Sequence, residues 1–329
     1  MTKAAILTAV LIFGQTAFAQ TKQSTYTPPK TPWGDPDLQG VWPGNMGVPM
    51  QRPTSFGDRA TLTEDEFAKK EAQARKQAQA DSESTVASDS KVGIGPPSYW
   101  TERGTPTHQA SLIIDPPNGR LPALTAEAQK YRKETKLPGE WRGKADSWED
   151  LNIYYRCISR GVLGSMIPVV YNNGNQIVQS PGYVVLRNEM IHESRVIPLD
   201  GRPHPASNVH LVMGDSRGHW EGNTLVVETT NFTDKDAIGS NGAGYPGDPG
   251  YHSDQLKIIE RFTRTGPKIM EYRATVADPK TWTQPWTILI ELARDDNYQI
   301  LEYACHEGNY AMSDILSGAR EAEAAKKSK

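Results

Sequence analysis

Hydrophobic and polar residues alternate with a period of two along much of the chain after about residue 170. Such alternation predicts strands that bury one face and expose the other. The predicted strands cover residues 176–180, 183–197, 224–232, 255–264, 268–277, 285–293 and 298–305. Turn signals such as Pro181-Gly182 and Gly266-Pro267 separate neighbouring strands. Joints this short predict antiparallel hairpins, because a parallel crossover needs about a dozen residues or more.

The same alternation predicts which side chains face the interior. The expected inward sets are Met270, Tyr272, Ala274 and Val276; Trp286, Ile288, Ile290 and Leu292; and Val184, Leu186, Asn188, Met190 and His192. Two polar groups, Asn188 and His192, are therefore expected among apolar side chains. An interior rich in aromatic residues and methionine suits a small apolar or aromatic ligand, and it equally suits an ordinary packed core.

The predicted fold is mainly β, with an antiparallel meander that forms either a barrel of the lipocalin or calycin kind or a sandwich. A few peripheral helices accompany it: one near 63–80, begun by a capping box of Thr63 and Glu66, one near Thr125, and one in the tail from Ser313. Residues 28–57 contain twelve Gly or Pro in thirty positions, which predicts an extended arm anchored by Trp33 and Trp42.

The chain is predicted to divide into a signal peptide at 1–19, a Pro- and Gly-rich arm with one surface helix and a flexible loop at 20–110, an antiparallel β domain at 111–310, and a helical tail at 311–329. Lys3, a short apolar run and the triplet Ala17-Phe18-Ala19 are typical of a secretory signal. The run of about eleven residues is too short for a membrane anchor, which needs roughly twenty. We therefore expect a periplasmic or secreted protein.

Composition narrows the function classes. The chain has 329 residues, a formal net charge of −3 and 37% hydrophobic residues. These values exclude a membrane bundle and a wholly disordered chain, and they give no reason to expect a nucleic-acid partner. The expected partner is a small-molecule ligand, with no membrane contact after signal cleavage and no cofactor.

The only two cysteines, Cys157 and Cys305, stand 148 residues apart. In an oxidising compartment a lone pair is usually a disulfide, and two buried thiols are the alternative. A catalytic cysteine is a weaker interpretation, because Cys157 has no adjacent histidine.

Ionisable residues are densest between 192 and 221, where four of the seven histidines lie. Imidazole and carboxylate groups transfer protons near neutral pH, and arginine stabilises anions. The candidate catalytic residues are His192 as base, Arg195 or Arg202 as anion stabiliser, and His306 with Glu307 as a second acid/base pair. The candidate substrate-binding residues are Asn188, Met190, Trp220, Tyr272 and Trp286.

Three alternatives stay open for these residues. Ser216 stands near His219, but no nucleophile elbow surrounds it, and a tight turn explains Asp215-Ser216-Arg217-Gly218 equally well. The histidines lack the spacing of a metal site, so no metal is predicted. His192 and His306 could be core histidines, and Asp200 and Arg202 could simply pair across a turn.

Several motifs resemble those of a large family of secreted bacterial proteins. They are Met213-Gly-Asp-Ser-Arg-Gly-His-Trp-Glu-Gly-Asn-Thr-Leu-Val-Val with Thr229-Thr-Asn-Phe232, Pro32-Trp-Gly-Asp-Pro-Asp-Leu-Gln-Gly-Val-Trp42, Arg156-Cys-Ile-Ser-Arg-Gly161, Ile197-Pro-Leu-Asp-Gly-Arg-Pro-His204, Asp278-Pro-Lys-Thr-Trp-Thr-Gln-Pro-Trp286 and Glu302-Tyr-Ala-Cys-His-Glu-Gly-Asn-Tyr310. The resemblance implies export and transfers no mechanism.

Three functions fit these observations. The first is a periplasmic acid/base enzyme, such as a lyase, isomerase or hydrolase, acting on an apolar or aromatic molecule in an enclosed pocket. The second is a binding or carrier protein for an apolar ligand, and the third is a structural envelope protein. Convergence of the ionisable residues on one pocket would favour the enzyme, and their dispersal would count against it.

Overall fold

The computed structural model describes residues 26–44, 46–83, 98–134, 145–151, 153–234, 237–238 and 250–327. The predicted signal peptide lies outside these ranges. So do residues 84–96, which belong to the flexible loop predicted within 20–110, and residues 239–249, whose richness in Gly and Pro predicts a second loop. No helix within these ranges combines the length and the hydropathy that a bilayer crossing requires.

The described chain is mainly β, with few helices. Its strands are β1 (Gly40–Val41), β2 (Ile113–Asp115), β3 (Asn175–Ser180), β4 (Tyr183–Asn188), β5 (Ser194–Pro198), β6 (Asp215–Glu221), β7 (Thr224–Thr230), β8 (Ala237–Ile238), β9 (Gly250–Tyr251), β10 (Lys257–Gly266), β11 (Ile269–Ala277) and β12 (Trp286–Ala293). Its α-helices are α1 (Glu64–Glu83), α2 (Ala126–Glu134) and α3 (Ala311–Lys327).

Two antiparallel sheets form the body of the protein. The larger has the strand order β2-β12-β11-β10-β7-β6, and the smaller has the order β1-β3-β4-β5. β8 and β9 form a separate two-stranded pair. The hairpins β3–β4, β6–β7 and β10–β11 turn at Pro181-Gly182, Gly222-Asn223 and Pro267-Lys268, so short joints connect antiparallel neighbours as predicted.

The predicted inward faces of β11 and β12 are confirmed, because all eight of their inward residues are buried. They join one apolar core with residues of both sheets, including Leu186 and Ile197 of the smaller sheet and Val227 of the larger. Period-two alternation therefore identified the core of the larger sheet correctly.

Three strand predictions need correction. The predicted strand 183–197 is interrupted: β4 ends at Asn188, and a short 3-10 helix at Met190–His192 precedes β5. Residues 298–305 contain no strand, so that prediction is wrong. Asp215–Glu221, interpreted partly as a turn, forms β6.

The N-terminal arm contributes to the core. β1 pairs with β3, and Trp42 is fully buried with its indole N–H donating to Leu38 O at 2.9 Å. Trp33 does not serve as a second anchor, because it is 36% exposed and bonds only locally to the Asp35 carboxylate at 3.0 Å.

The predicted helices are present. At α1 the capping box forms: Thr63 N–H donates to Glu66 Oε2 at 2.8 Å, and Glu66 N–H donates to Thr63 Oγ1 at 3.3 Å. α2 begins after Thr125, and the tail helix is α3.

Candidate functional site

A disulfide joins Cys157 to Cys305, with their Cα atoms 5.6 Å apart, so the predicted bridge is confirmed. It holds residues 153–160 against residues 301–310. Asn309 reinforces the junction, because its Nδ2 donates to Tyr155 O and to Cys157 Sγ, both at 3.2 Å.

Four aromatic residues gather beside this disulfide: Trp100, Tyr154, Tyr171 and Tyr303, here called the aromatic cluster. The rings of Tyr171 and Tyr303 stack with centroids 6.3 Å apart, and Trp100 meets Tyr171 edge to face at 6.2 Å. Tyr154 joins them through the Cys157–Cys305 bridge, which ties its segment to that of Tyr303. Since Trp100 is 54% exposed while the three tyrosines are partly buried, the cluster runs from the surface inward.

Met190 lies beneath this cluster. With Val169 and Ile191 it forms a small buried group, separate from the main core, on which the three tyrosines and Cys305 pack. The cluster therefore has an apolar floor of its own.

Glu102 fixes the segment that carries Trp100. Its carboxylate accepts hydrogen bonds from Asn172 N–H at 2.8 Å and from Asn173 N–H at 3.0 Å, and its own N–H donates to Val170 O at 2.8 Å. Because Tyr171 lies between these partners, Glu102 holds Trp100 and Tyr171 side by side.

Glu189 fixes the segment that carries Tyr303. Its buried carboxylate accepts from Leu301 N–H at 3.0 Å, from Gly174 N–H at 3.2 Å and from the Tyr298 hydroxyl at 2.6 Å. The Tyr298 oxygen also lies 3.0 Å from Glu102 Oε1. The two glutamates and the disulfide thus brace all the segments that build the cluster.

Burial raises the pKa of the Tyr154 and Tyr303 hydroxyls, although the nearby positive charge of Arg160 acts in the opposite direction. Burial also raises the pKa of Tyr272, beside Glu260, and of Tyr298, beside Glu189. These four hydroxyls therefore remain neutral hydrogen-bond donors throughout the physiological pH range.

We expect four tyrosines to stay protonated at a pH where the tyrosines of the unfolded chain ionise: Tyr154, Tyr272, Tyr298 and Tyr303. Unfolded tyrosine ionises near about pH 10. The folded protein holds these protons above that pH and the unfolded chain loses them, so stability should fall as the pH rises beyond about 10. Absorbance at 295 nm during an alkaline titration should show these four ionising together with unfolding. Complete ionisation of all the tyrosines while the tryptophan fluorescence remains native would contradict this.

The predicted orientation of His192 is wrong. Ile191 and His192 adopt positive φ angles of 61° and 44°, and this turn ends the alternation that would have buried the imidazole. His192 is exposed, and its Nδ1 lies 3.0 Å from Tyr303 O, at the margin of the aromatic cluster.

His306 and Glu307 are both exposed in the turn that follows Cys305. The prediction that they end a strand is wrong, because hydrogen bonds to Glu189 and the disulfide hold this segment instead of a β-ladder. They follow Tyr303 closely in sequence, but neither side chain forms a hydrogen bond with the aromatic cluster among the described residues.

Arg195 is enclosed between the sheets rather than directed at a ligand. Its Nη1 and Nη2 donate to Glu260 Oε2 at 2.5 Å and Oε1 at 2.8 Å, and the Tyr272 hydroxyl donates to the same carboxylate at 3.1 Å. Ser216 and Thr229 complete the group, with Ser216 Oγ 2.9 Å from Thr229 Oγ1. Ser216 is therefore a buried network residue, and His219 is exposed elsewhere on β6.

Arg202 pairs with Asp200 across an exposed turn, which confirms the simpler of its two interpretations. The Arg202 guanidinium lowers the pKa of the Asp200 carboxyl to about 2. The pair lies at the surface, and its atoms contact each other rather than the aromatic cluster.

The other predicted ligand-binding residues pack in the core. Trp286 and Tyr272 are fully buried, and Trp220 is partly buried against the main core. Asn188 is buried as predicted, and its Nδ2 donates to Asn175 Oδ1 at 2.6 Å. Only Met190 of the five lies against the aromatic cluster.

His204 forms a second ionic group, on the face of the larger sheet opposite to Ser216. Its Nδ1 lies 2.7 Å from Asp215 Oδ2 and its Nε2 lies 3.4 Å from Glu228 Oε1, while Arg217 also pairs with Asp215. Both ring nitrogens are therefore engaged with carboxylates, and the arrangement clamps the 199–214 segment onto the sheet.

The polar stretch 192–221 consequently does not converge on one place. His192 lies by Tyr303, Arg195 lies between the sheets, and His204 lies on an outer face. Among the residues that the structure describes, no group of three or more His, Cys, Asp or Glu side chains is arranged to hold a metal ion.

Sequence reasoning missed all four residues of the aromatic cluster and both bracing glutamates. One local signal was present: Tyr154 precedes Cys157 by three residues, and Tyr303 precedes Cys305 by two. A disulfide between these cysteines would bring the two tyrosines together. Nothing local points to Trp100 or Glu102, which lie more than fifty residues before Cys157.

Comparison with known proteins adds no further constraint. No protein family model, no curated protein and no solved structure matches this chain.

Proposed function

We propose that this is an exported bacterial protein that binds a small apolar or aromatic molecule, without catalysis, on the aromatic cluster. Export is supported by the signal-like sequence of residues 1–19, by the resemblance to secreted bacterial proteins and by the disulfide. The periplasm is the compartment that suits these features best.

The observation that carries this proposal is the aromatic cluster itself. Aromatic faces bind apolar rings through stacked or edge-to-face contacts. If the aromatic side chains were mobile, ordering them on binding would cost entropy and would offset much of the favourable contact energy. Here Glu102, Glu189 and the disulfide hold the rings in place beforehand.

Dispersal of the predicted proton-transfer groups favours binding over catalysis. Arg195 has both of its terminal nitrogens on Glu260, and His204 has both of its ring nitrogens near carboxylates. A general base needs a free nitrogen within reach of its substrate. Acid/base catalysis by His192 remains a prediction of the sequence.

We further propose that the two sheets pack as a sandwich and not as a barrel. Arg195 of β5 bonds Glu260 of β10, which connects the smaller sheet to the larger. A side chain at Gly218 of β6 would meet Ile197 and Leu199 at 2.9 and 2.7 Å, so the sheets approach closely there. This packing supports a body filled by its own side chains, with ligand binding outside it.

We expect the wild-type protein to bind 2-naphthol and the Trp100→Ala variant to bind it about tenfold more weakly. An aromatic pair contributes about 0.5–1.5 kcal/mol beyond area burial, and the lost apolar contact adds to this. Isothermal titration calorimetry at neutral pH measures both affinities. Trp33→Ala is the matched control, because Trp33 is an exposed tryptophan with only local contacts. Equal affinities of wild type and Trp100→Ala, or no binding by the wild type, would refute the proposal.

A further inference from the structure

The outer face of the smaller sheet exposes a row of valines, where an antiparallel sheet usually presents polar side chains to water. Val178 is 44% exposed and Val196 is 58% exposed, and Val185 between them is partly exposed. Val185 pairs with Val178 on one side and with Val196 on the other, so the three side chains form one row across β3, β4 and β5. We infer that this face packs against the same face of a second copy of the protein.

Two further rows border the valines, and together they carry one charge, that of Arg187. The first row is Gln176, Arg187 and Ser194, and the second is Ser180, Tyr183 and Pro198. Among the described residues the Arg187 guanidinium has no ion-pair partner. Arg202 lies near the Tyr183 hydroxyl, but its ion pair with Asp200 neutralises it. Covering this face therefore removes one cation per copy from water, and the second copy has to supply a favourable contact for it.

The face is complementary to itself under one twofold rotation. Arg187 and Tyr183 lie two residues to either side of Val185 on β4. A twofold axis along the valine row places Arg187 of each copy over Tyr183 of the other, where the ring attracts the cation. An axis along the strands would instead bring the two Arg187 side chains together, and like charges repel. The first arrangement is therefore the one we assign, with the two sheets about 10 Å apart.

The size of the face determines the strength of the contact. Three strands about 4.8 Å apart, each contributing five residues of about 3.3 Å, give a footprint of about 14 Å by 16 Å. A stable interface buries about 800 Å² on each partner, which is several times more. The dimer is therefore weak and transient, and it does not depend on the proposed ligand.

Sedimentation velocity measures the dimer directly. We expect the sedimentation coefficient of the wild-type protein to rise from the monomer value towards the dimer value between about 10 μM and 1 mM. Val196→Lys should weaken the dimer at least about tenfold, because the symmetry buries two unpaired ammonium groups. Val209→Lys is the matched control, since Val209 is a 41% exposed valine outside the sheet, and it should dimerise as the wild type does.

Two alanine variants test the orientation of the copies. Arg187→Ala and Tyr183→Ala should each weaken the dimer about two- to fivefold, through loss of the same cation–π contact. The double variant should therefore be no weaker than the sum of the two effects and close to either one alone. An Arg187→Ala variant that dimerises more tightly than the wild type would contradict the assigned axis. A wild-type protein that stays monomeric at 1 mM, or a dimer that Val196→Lys leaves unchanged, would overturn the inference.

Discussion

Glu260→Ala is expected to destabilise the protein by about 3–5 kcal/mol, because it leaves the Arg195 guanidinium buried without its counter-charge. Glu260 is fully buried, and it accepts two hydrogen bonds from Arg195 and one from Tyr272. Burial opposes the charge on Arg195, but the attraction of Glu260 outweighs it and raises the pKa of Arg195. The loss of free energy of unfolding would be measured by urea denaturation.

Two further variants serve as controls for this measurement. Glu221→Ala removes the partner of Arg261 on the exposed face of the same sheet and should cost at most about 1 kcal/mol. The double variant Arg195→Met/Glu260→Leu removes both charges and should recover most of the loss. If Glu260→Ala is no more harmful than Glu221→Ala, the ion pair does not hold the two sheets together.

Removing the disulfide is expected to lower the free energy of unfolding by a similar amount and also to abolish ligand binding. The bridge joins residues with a sequence separation of 148, and the chain-entropy relation gives about 5 kcal/mol for a loop of that length. Urea denaturation of Cys157→Ala/Cys305→Ala would measure the loss. Because the disulfide holds Tyr154 close to Tyr303, binding of 2-naphthol should be lost even where the variant is still folded.

Wild-type protein treated with a reductant serves as the second arm of this experiment, since it changes no side-chain volume. Binding should be lost on reduction and restored on reoxidation. A folded double-alanine variant that binds 2-naphthol with wild-type affinity would show that the bridge does not organise the aromatic cluster.

The core of the larger sheet could be predicted from sequence because alternation persists wherever a strand stays regular. Tyr272 and Trp286 are buried on the predicted face for this reason. The prediction for His192 failed because two residues with positive φ follow Met190, and no feature of the local sequence marks that turn. Once the alternation is broken, side-chain direction can no longer be counted from Val184.

The candidate site was harder to predict because its parts are distant in sequence. Trp100, Tyr154, Tyr171 and Tyr303 come from four separate stretches, and the hydrogen bonds of Glu102 and Glu189 together with the disulfide bring them together. The polar stretch 192–221 indicated a site because its charges are close in sequence. Adjacent residues of a strand point to opposite faces of the sheet. The side chain of Ser216 therefore lies on the face opposite to those of Asp215 and Arg217, although the three residues are consecutive in sequence.

A crystal structure of the protein with bound 2-naphthol tests the proposed binding function most directly. We predict that the naphthalene ring contacts Trp100 and Tyr171, with its hydroxyl oriented toward Tyr303. A ring bound elsewhere, such as among the core residues Tyr272 and Trp286, would contradict the proposal, as would an empty aromatic cluster at a saturating concentration of 2-naphthol.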